Sequence, residues 1–368
     1  MPKKILIIRM SALGDIIHGL PVAAAIKSAI PRVEIGWLVE ARGAGLLRDN
    51  PAIDRLHILR RGKPGEGPGG SRFTALIGEI RREKYDAAID LQGLTKSAVW
   101  ARLSGAGERI GFDGDNAQEI SRLFYNRAIR PAQHVKHIVH QNLALLRALG
   151  IENPGVEFPL TLDPVSRESG ERLWGNRSGE GPRIVLNVGG GWPTKLWPAE
   201  NFGKLSARLV SEMKAHVAIA WGPGEEVAAR NALEISGAKS GTESSPIDSE
   251  RSVFLLPKTS FLELGGCIGA ANLYVGGDTG PSHLASALGV PCVALFGPSD
   301  GERNGPLIAA SSAKKMAAPD SATRVIQLGE PECIPCWKTK CAWDEPLACM
   351  KGIGVDRVFE ACAELLGR

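Results

Sequence analysis

The sequence has no long hydrophobic run. Nowhere among its 368 residues do 18 apolar side chains follow one another without a charge or a turn residue, so no membrane-spanning helix is expected. The first ten residues hold only the apolar run Ile5 to Ile8, closed by Lys4 and Arg9. That is too short for the core of a signal peptide, and a cytoplasmic protein is expected. Aromatic residues are few, at 5%. There is no short-period repeat, no Walker lysine loop in either half, and no well-placed G-x-G-x-x-G after the first apolar stretch, so the most familiar nucleotide signatures are missing.

What is present is ordinary for a globular chain: 43% hydrophobic residues and a length that suits two domains better than one core. The net charge of +4 is unevenly spread. Residues 1–165 carry 23 Lys and Arg against 17 Asp and Glu, and the remainder carries 21 against 23. The first half thus leans towards an anionic partner, although so small a difference also fits plain surface composition.

Apolar runs alternate with helical periodicity along both halves. Strands are expected at Lys4 to Arg9, Val33 to Val39, Leu56 to Leu59 and Ala87 to Asp90. Helices are expected at Ile16 to Ile30, near Ala44 to Arg48, at Phe73 to Lys84, Thr95 to Leu103 and His134 to Leu149. After a Pro-bearing linker, Ile151 to Pro182, a second series follows. Its strands are Arg183 to Asn187, His216 to Ala220, Ser252 to Leu255, an apolar run Ala270 to Val275 and Cys292 to Phe296. This order predicts two α/β units, each a doubly wound parallel sheet, over 1–165 and 166–368. The second unit also carries a Cys-rich segment at 333–349 and a closing helix.

In such sheets ligands gather beyond the carboxyl ends of the strands, which singles out a few loops. Gly276 to His283 reads Gly-Gly-Asp-Thr-Gly-Pro-Ser-His between a strand and a helix. Its glycines permit close backbone approach, Pro281 suits a first helical turn, and free N–H groups at that end favour an anion. A ligand-free turn would use Gly and Pro equally well but has little need of Asp278, Thr279, Ser282 and His283 together. The turn Gly189 to Lys195, with Gly190 and Gly191, lies at another carboxyl end, and Lys195 suits a phosphate. Glu225 and Glu226, after Trp221-Gly222, suit either ribose hydroxyls or the start of a helix.

In the first half, Asp15 follows the first strand and suits either a general base or a helix N-cap; His18 suits a structural or a functional role. The Gly/Pro-rich stretch Arg60 to Arg72 carries Arg60, Arg61 and Lys63 where an anion could be gripped, or forms a solvated loop. Asp113-Gly114-Asp115 reads as a turn rather than a metal pair. Cys333, Cys336, Cys341 and Cys349, spaced C-x2-C-x4-C-x7-C, suit a closed thiolate site for structural zinc or iron, or four reduced thiols. A zinc-ribbon nucleic-acid binder would use the same cysteines, but only Lys338, Lys340 and Lys351 stand near them, too thin a footprint for phosphate binding.

Several stretches together resemble the bacterial heptosyltransferases of glycosyltransferase family 9, above all the heptosyltransferase I branch. They are Met10 to His18, Asp90 to Ser97, Leu123 to Arg127, Lys195 to Pro198, Trp221-Gly222, Leu256 to Lys258, Gly277 to His283 and Phe296 to Pro298. The resemblance implies a GT-B fold with two Rossmann-like domains across a cleft. It implies inverting transfer of heptose from ADP-heptose to the Kdo/inner-core region of lipopolysaccharide, without a catalytic metal and without nucleic acid. Asp15 then corresponds to the base. Lys195, Gly190, Gly191, Glu225 or Glu226, Asp278, Thr279, Gly280 and His283 correspond to the donor site. Arg60, Arg61, Lys63, Gln92, Lys96 and Arg127 are expected to hold the anionic acceptor, Kdo-lipid A, with peripheral attachment at the inner membrane face. Two departures stand out. Gly190-Gly191 occupies the place of a Thr-Thr pair, and the cysteine cluster is more usual in heptosyltransferase II-like and protein-heptosylating relatives, which leaves the acceptor open.

Overall fold

The computed structural model describes residues 1–60, 70–175, 181–237, 252–309, 322–342 and 344–368. The chain divides into two units, Met1–Thr161 and Leu162–Arg368. The division falls four residues before the boundary expected from sequence, because Asp163 already caps a helix of the second unit by accepting from the Ser166 amide.

The first unit runs β1 (Lys4–Ile8), α1 (Leu13–Ala29), β2 (Glu34–Glu40), α2 (Ala44–Leu47), β3 (Arg55–Leu59), α3 (Gly70–Arg82), β4 (Ala87–Asp90), α4 (Thr95–Leu103), β5 (Glu108–Phe112), β6 (Arg127–Ile129) and α5 (Ile138–Ala144). Its six strands are parallel in the order β3-β2-β1-β4-β5-β6. β1 is central and covered on both faces, so Ile5, Leu6, Ile7 and Ile8 are all fully buried; this is why it reads as a continuous rather than alternating apolar run. Gly36 in β2 is required by packing, since a Cβ there would stand 1.8 Å from the Tyr85 hydroxyl.

The second unit runs α6 (Pro164–Trp174), β7 (Arg183–Asn187), α7 (Ala199–Met213), β8 (His216–Ala220), α8 (Glu226–Ile235), β9 (Val253–Leu255), α9 (Phe261–Gly269), β10 (Leu273–Gly277), α10 (Gly280–Ala287), β11 (Cys292–Phe296), α11 (Gly301–Asn304), β12 (Thr323–Gln327), α12 (Ala348–Lys351) and α13 (Val355–Leu365). Its sheet, again parallel, is ordered β12-β11-β10-β7-β8-β9. Counted from β7, this is the same winding as the first unit. Each sheet therefore reverses its winding once, between β1 and β4 in the first unit and between β7 and β10 in the second. A crevice opens at such a reversal, and ligands bind there.

The expected alternation holds, with local differences. The linker contains α6, begun by Pro164 at its first turn with Asp163 as cap. The helix expected from His134 starts only at Ile138 and tightens into a 3-10 turn over Leu145–Leu149. Gly150, at φ 74°, ends it. Gly276 and Gly277 belong to β10 rather than to the turn. They pair with Ala294 and Leu295, and a Cβ at Gly276 would meet the Tyr274 hydroxyl at 2.5 Å. β5, β6 and β12 were not legible; β12 buries only Ile326 of its five residues, so no pattern marks it.

Candidate active site

In the second unit the loops after β7, β10 and β11 converge on one carboxylate. Register pairs Asn187 with Gly276, so the chain leaving β7 and the chain leaving β10 emerge side by side. Lys195 sits in a 3-10 turn, Pro193–Lys195, and its Nζ donates to Asp278 Oδ2 at 2.5 Å and to the Asp278 carbonyl at 3.4 Å. Ser299 donates its hydroxyl to the same Oδ2 at 2.6 Å, and His283 Nε2 stands 3.4 Å from Oδ1. Asp278, His283 and Ser299 are all buried. Burial pushes the Asp278 carboxyl up, but the His283 ring and the Lys195 ammonium outweigh it and hold the group well below the usual carboxylate range.

α10 begins immediately beyond, with Thr279 at its N-cap and Gly280 and Pro281 in its first turn. No side chain caps it and no acidic residue lies in that turn. The helix start is therefore open to an anion, beside an ammonium that also lies 4.5 Å from the Trp192 ring centroid. Lys195, Asp278, Thr279, Gly280 and His283 are thus brought together.

Glu225, Glu226 and Gly190 do otherwise. Glu225 accepts from the Gly190 amide at 2.8 Å and the Gly222 amide at 2.6 Å, tying the loop after β7 to the loop after β8. A Cβ at Gly189 would stand 1.9 Å from this carboxylate, which is why glycine is needed there. The Gly190 N–H is thus bonded to Glu225, and the half-buried Glu225 carboxylate ties the two loops together. Glu226 pairs with Arg230 one turn along α8 at 2.7 Å, the ordinary use of a carboxylate in a first helical turn. Gly191 is exposed, with open space where a Cβ would be.

In the first unit the loops after β1 and β4 meet in the same way, with Ile8 paired to Asp90. Asp15 lies in the first turn of α1 as its third residue and is not the N-cap. Its Oδ2 accepts from the Ala12 amide at 3.1 Å and from Arg9 Nη2 at 2.7 Å. Arg9 is buried and donates Nη1 to the Leu91 carbonyl at 2.7 Å, so it fastens Asp15 to the end of β4. Gln92 Oε1 accepts from the Met10 amide at 3.2 Å. Beneath them the fully buried Asp90 accepts from the Gln92 amide at 2.8 Å, the Gly93 amide at 3.2 Å and the Tyr125 hydroxyl at 2.7 Å. Burial raises its carboxyl above the usual range in spite of hydrogen bonds from Ser97, Tyr125 and those amides.

Of the remaining acceptor candidates, Arg60 is exposed after β3 and Lys96 is exposed near the start of α4. Arg61 and Lys63 lie outside the described residues. Arg127 is misplaced for the role: it opens β6 at the amino end and donates to the Ala148 carbonyl at 2.7 Å, so it braces the 3-10 turn. Asp113 pairs with Arg122 at 3.3 Å beside Gly114 at φ 65°, a turn as expected. Sequence reasoning missed Arg9, Tyr125 and Ser299. A charge closing a buried strand was a signal for Arg9; for Ser299 there was none.

The sequence pattern of glycosyltransferase family 9 (heptosyltransferase) matches residues 73–332. The chain belongs to this family. It is 29% identical to lipopolysaccharide heptosyltransferase 1 of Campylobacter coli over 82% of this chain and 86% of that one. To the protein of the same name in Pseudomonas aeruginosa it is 30% identical, over 81% and 79%. The fold is shared with Escherichia coli heptosyltransferase WaaC solved with ADP, at a TM-score of 0.71 and 24% identity over 98% of this chain and 99% of that one.

The glycosyltransferase carries its four clustered cysteines in the second unit. Cys349 is buried, Cys333 and Cys336 are half-buried and Cys341 is exposed. Burial raises the Cys349 thiol, and the nearby Cys333, Cys336 and Cys341 raise it further. The donor chemistry suits zinc or iron, the alternative being four reduced thiols. Among the described residues no three His, Cys, Asp or Glu side chains are gathered as ligands to one ion, and Cys341 Sγ instead accepts from the Leu347 amide at 3.4 Å. No helix among the described residues is long and apolar enough to cross a membrane.

Proposed function

We propose that this glycosyltransferase moves heptose from ADP-heptose to the Kdo region of the lipopolysaccharide inner core, with inversion at the anomeric carbon and no metal in the chemical step. The observation that carries the donor side is the Lys195–Asp278–His283 group at the open start of α10. The names of the relatives, lipopolysaccharide heptosyltransferase 1 at 29% and 30% identity, support the acceptor class.

Asp15 takes the proton of the acceptor hydroxyl while that oxygen attacks the anomeric carbon. The bond from the anomeric carbon to the diphosphate oxygen breaks, and its electron pair leaves with ADP. Arg9 and the Ala12 amide both hold Asp15 by Oδ2, and Oδ1 is the oxygen assigned to the proton. Charge growing on the departing diphosphate is met by the Lys195 ammonium and the first amides of α10, preorganised so that little reorientation is needed. Asp278 is the anchor of that ammonium, and Ser299 and His283 are the anchors of Asp278.

The test is an assay with ADP-heptose against truncated core acceptors and a protein acceptor, read by product mass and by the anomeric configuration of the product. One added heptose on a Kdo-terminated acceptor, of opposite configuration to the donor, is expected. Transfer only to an acceptor already bearing heptose, or only to protein, would replace the acceptor assignment. A retained configuration would overturn the single-displacement step.

A further inference from the structure

The cysteine segment forms no metal cage among the described residues, yet its backbone is lodged between the turn that carries Lys195 and the loop after β11, whose Ser299 holds Asp278. The Cys336 and Trp337 amides both donate to the Pro298 carbonyl, at 2.9 and 2.8 Å. Pro298 adjoins Ser299, whose hydroxyl holds Asp278. On the other side, the buried Thr194 donates its hydroxyl to the Lys338 carbonyl at 2.7 Å. Thr194 adjoins Lys195. Three consecutive residues, 336–338, therefore bridge the chain beside the ammonium to the chain beside its carboxylate anchor.

The bridge is backed from behind. A Cβ on Gly297 would meet Met350 Sδ at 2.5 Å and Cys349 Sγ at 3.1 Å, so the start of α12 packs directly under the loop after β11. Gln327 Nε2 fixes the same loop by donating to the Gly297 and Ser299 carbonyls, at 3.2 and 2.6 Å. Arg303 lies 5.9 Å from the Trp337 ring centroid. The loop after β11 is thus anchored independently, whereas the described side-chain tie from the Lys195 turn to segment 336–338 is the Thr194 hydroxyl.

We propose that segment 336–338 is a clamp that sets the position of Lys195 against Asp278, and that Thr194 is a positioning residue for the diphosphate of the donor. The inference rests on the donor-site reading given above. Replacing Thr194 by Val keeps shape and removes the hydrogen bond, leaving the Lys338 carbonyl without that donor. Misplacement of the ammonium by a fraction of an ångström weakens a charge-assisted contact with phosphate.

The experiment compares wild type, Thr194→Val and Thr194→Ser by ADP titration calorimetry, by donor and acceptor KM, and by amide hydrogen exchange of peptides covering 190–198 and 333–342. Thr194→Val is expected to weaken ADP and raise donor KM about tenfold, leave acceptor KM unchanged, and speed exchange in both peptides. Thr194→Ser, which restores the hydroxyl, should return all three to near wild type. A folded Thr194→Val that binds ADP as wild type does would overturn the proposal. So would a loss that Thr194→Ser shares, which would trace it to the missing methyl group. If the wild type itself binds no ADP, the donor reading fails and exchange alone decides: unchanged exchange in Thr194→Val then overturns the clamp, and faster exchange in both peptides upholds it.

Discussion

Lys195 Nζ lies 2.5 Å from Asp278 Oδ2, an ion pair made between the loop after the strand that starts the second sheet and the loop after the strand on which its winding reverses. With side-chain exposures of 14% and 6% it is largely withdrawn from water. Removing one partner therefore strands the other. Lys195→Ala is expected to lower stability by about 3 kcal/mol, moderated by the Ser299 and His283 contacts. Transfer should fall by about a hundredfold or more. Urea unfolding and initial rates measure the two effects; a variant as stable and as active as wild type would remove the pair from both roles.

Asp15 and Arg9 should separate chemistry from folding. The Asp15 side chain is 41% exposed, so Asp15→Asn, which keeps an oxygen for the Ala12 amide, should unfold at nearly the wild-type temperature. Its transfer rate is expected to drop about a thousandfold, with ADP affinity unchanged. Arg9→Lys should lower kcat with little change in donor KM, because it misaligns Asp15 and leaves the Lys195–Asp278 pair as it is. Normal turnover by Asp15→Asn would assign the base elsewhere.

Tyr125→Phe tests the buried support under the first-unit loops. The phenol is one of the donors to the fully buried Asp90, and its loss should cost about 1–2 kcal/mol. The lost donor should also slacken the Gln92–Gly93 turn, visible as faster amide exchange there. A stability equal to wild type would mean that Asp90 is adequately held by its backbone donors alone.

His57 gives a pH signature. It is fully buried in β3, with Glu79 Oε1 at 2.6 Å from Nδ1 and the Tyr85 hydroxyl at 2.7 Å from Nε2. Burial lowers its pKa, and this outweighs the half-exposed Glu79 and the nearby Glu83, which favour the charged ring; Arg55 adds to the lowering. The fold therefore favours the neutral ring. Because the folded pKa lies below the unfolded value near 6.5, the unfolded chain binds more protons as pH falls through that region. The contribution is complete above about 6.5 and is lost on acidification, with a slope of at most about 1.4 kcal/mol per pH unit. His57→Gln should flatten the pH dependence of unfolding between about pH 5 and 7. An unchanged slope in that variant would place the protons on another group.

Much of this protein was legible in one dimension. The apolar runs of β1, β4, β8 and β11 and the periodicity of α4 and α7 mark two wound sheets, because a central parallel strand buries both faces and leaves a continuous signature. The Gly276 to His283 stretch marked a ligand end, since strand, glycine turn and uncapped helix are local features. Weakly buried elements such as β12 left no such trace, and α6 was hidden in a stretch read as linker.

The sequence by itself determined the fold class and the family, and pointed to the side chains Asp15, Lys195, Asp278 and His283. Only the tertiary structure decided which of the polar groups nearby are turned outward and which are consumed inside. Glu225, Gly190 and Arg127, read along the chain as ligand residues, tie loops and turns in the folded protein. Arg9, Ser299 and Thr194 look ordinary, yet Arg9 holds Asp15, Ser299 holds Asp278 and Thr194 ties down the turn that carries Lys195. The reason is physical: a hydrogen bond depends on distance and direction between residues dozens or hundreds of positions apart, and these are fixed by strand order and register rather than by neighbours in sequence.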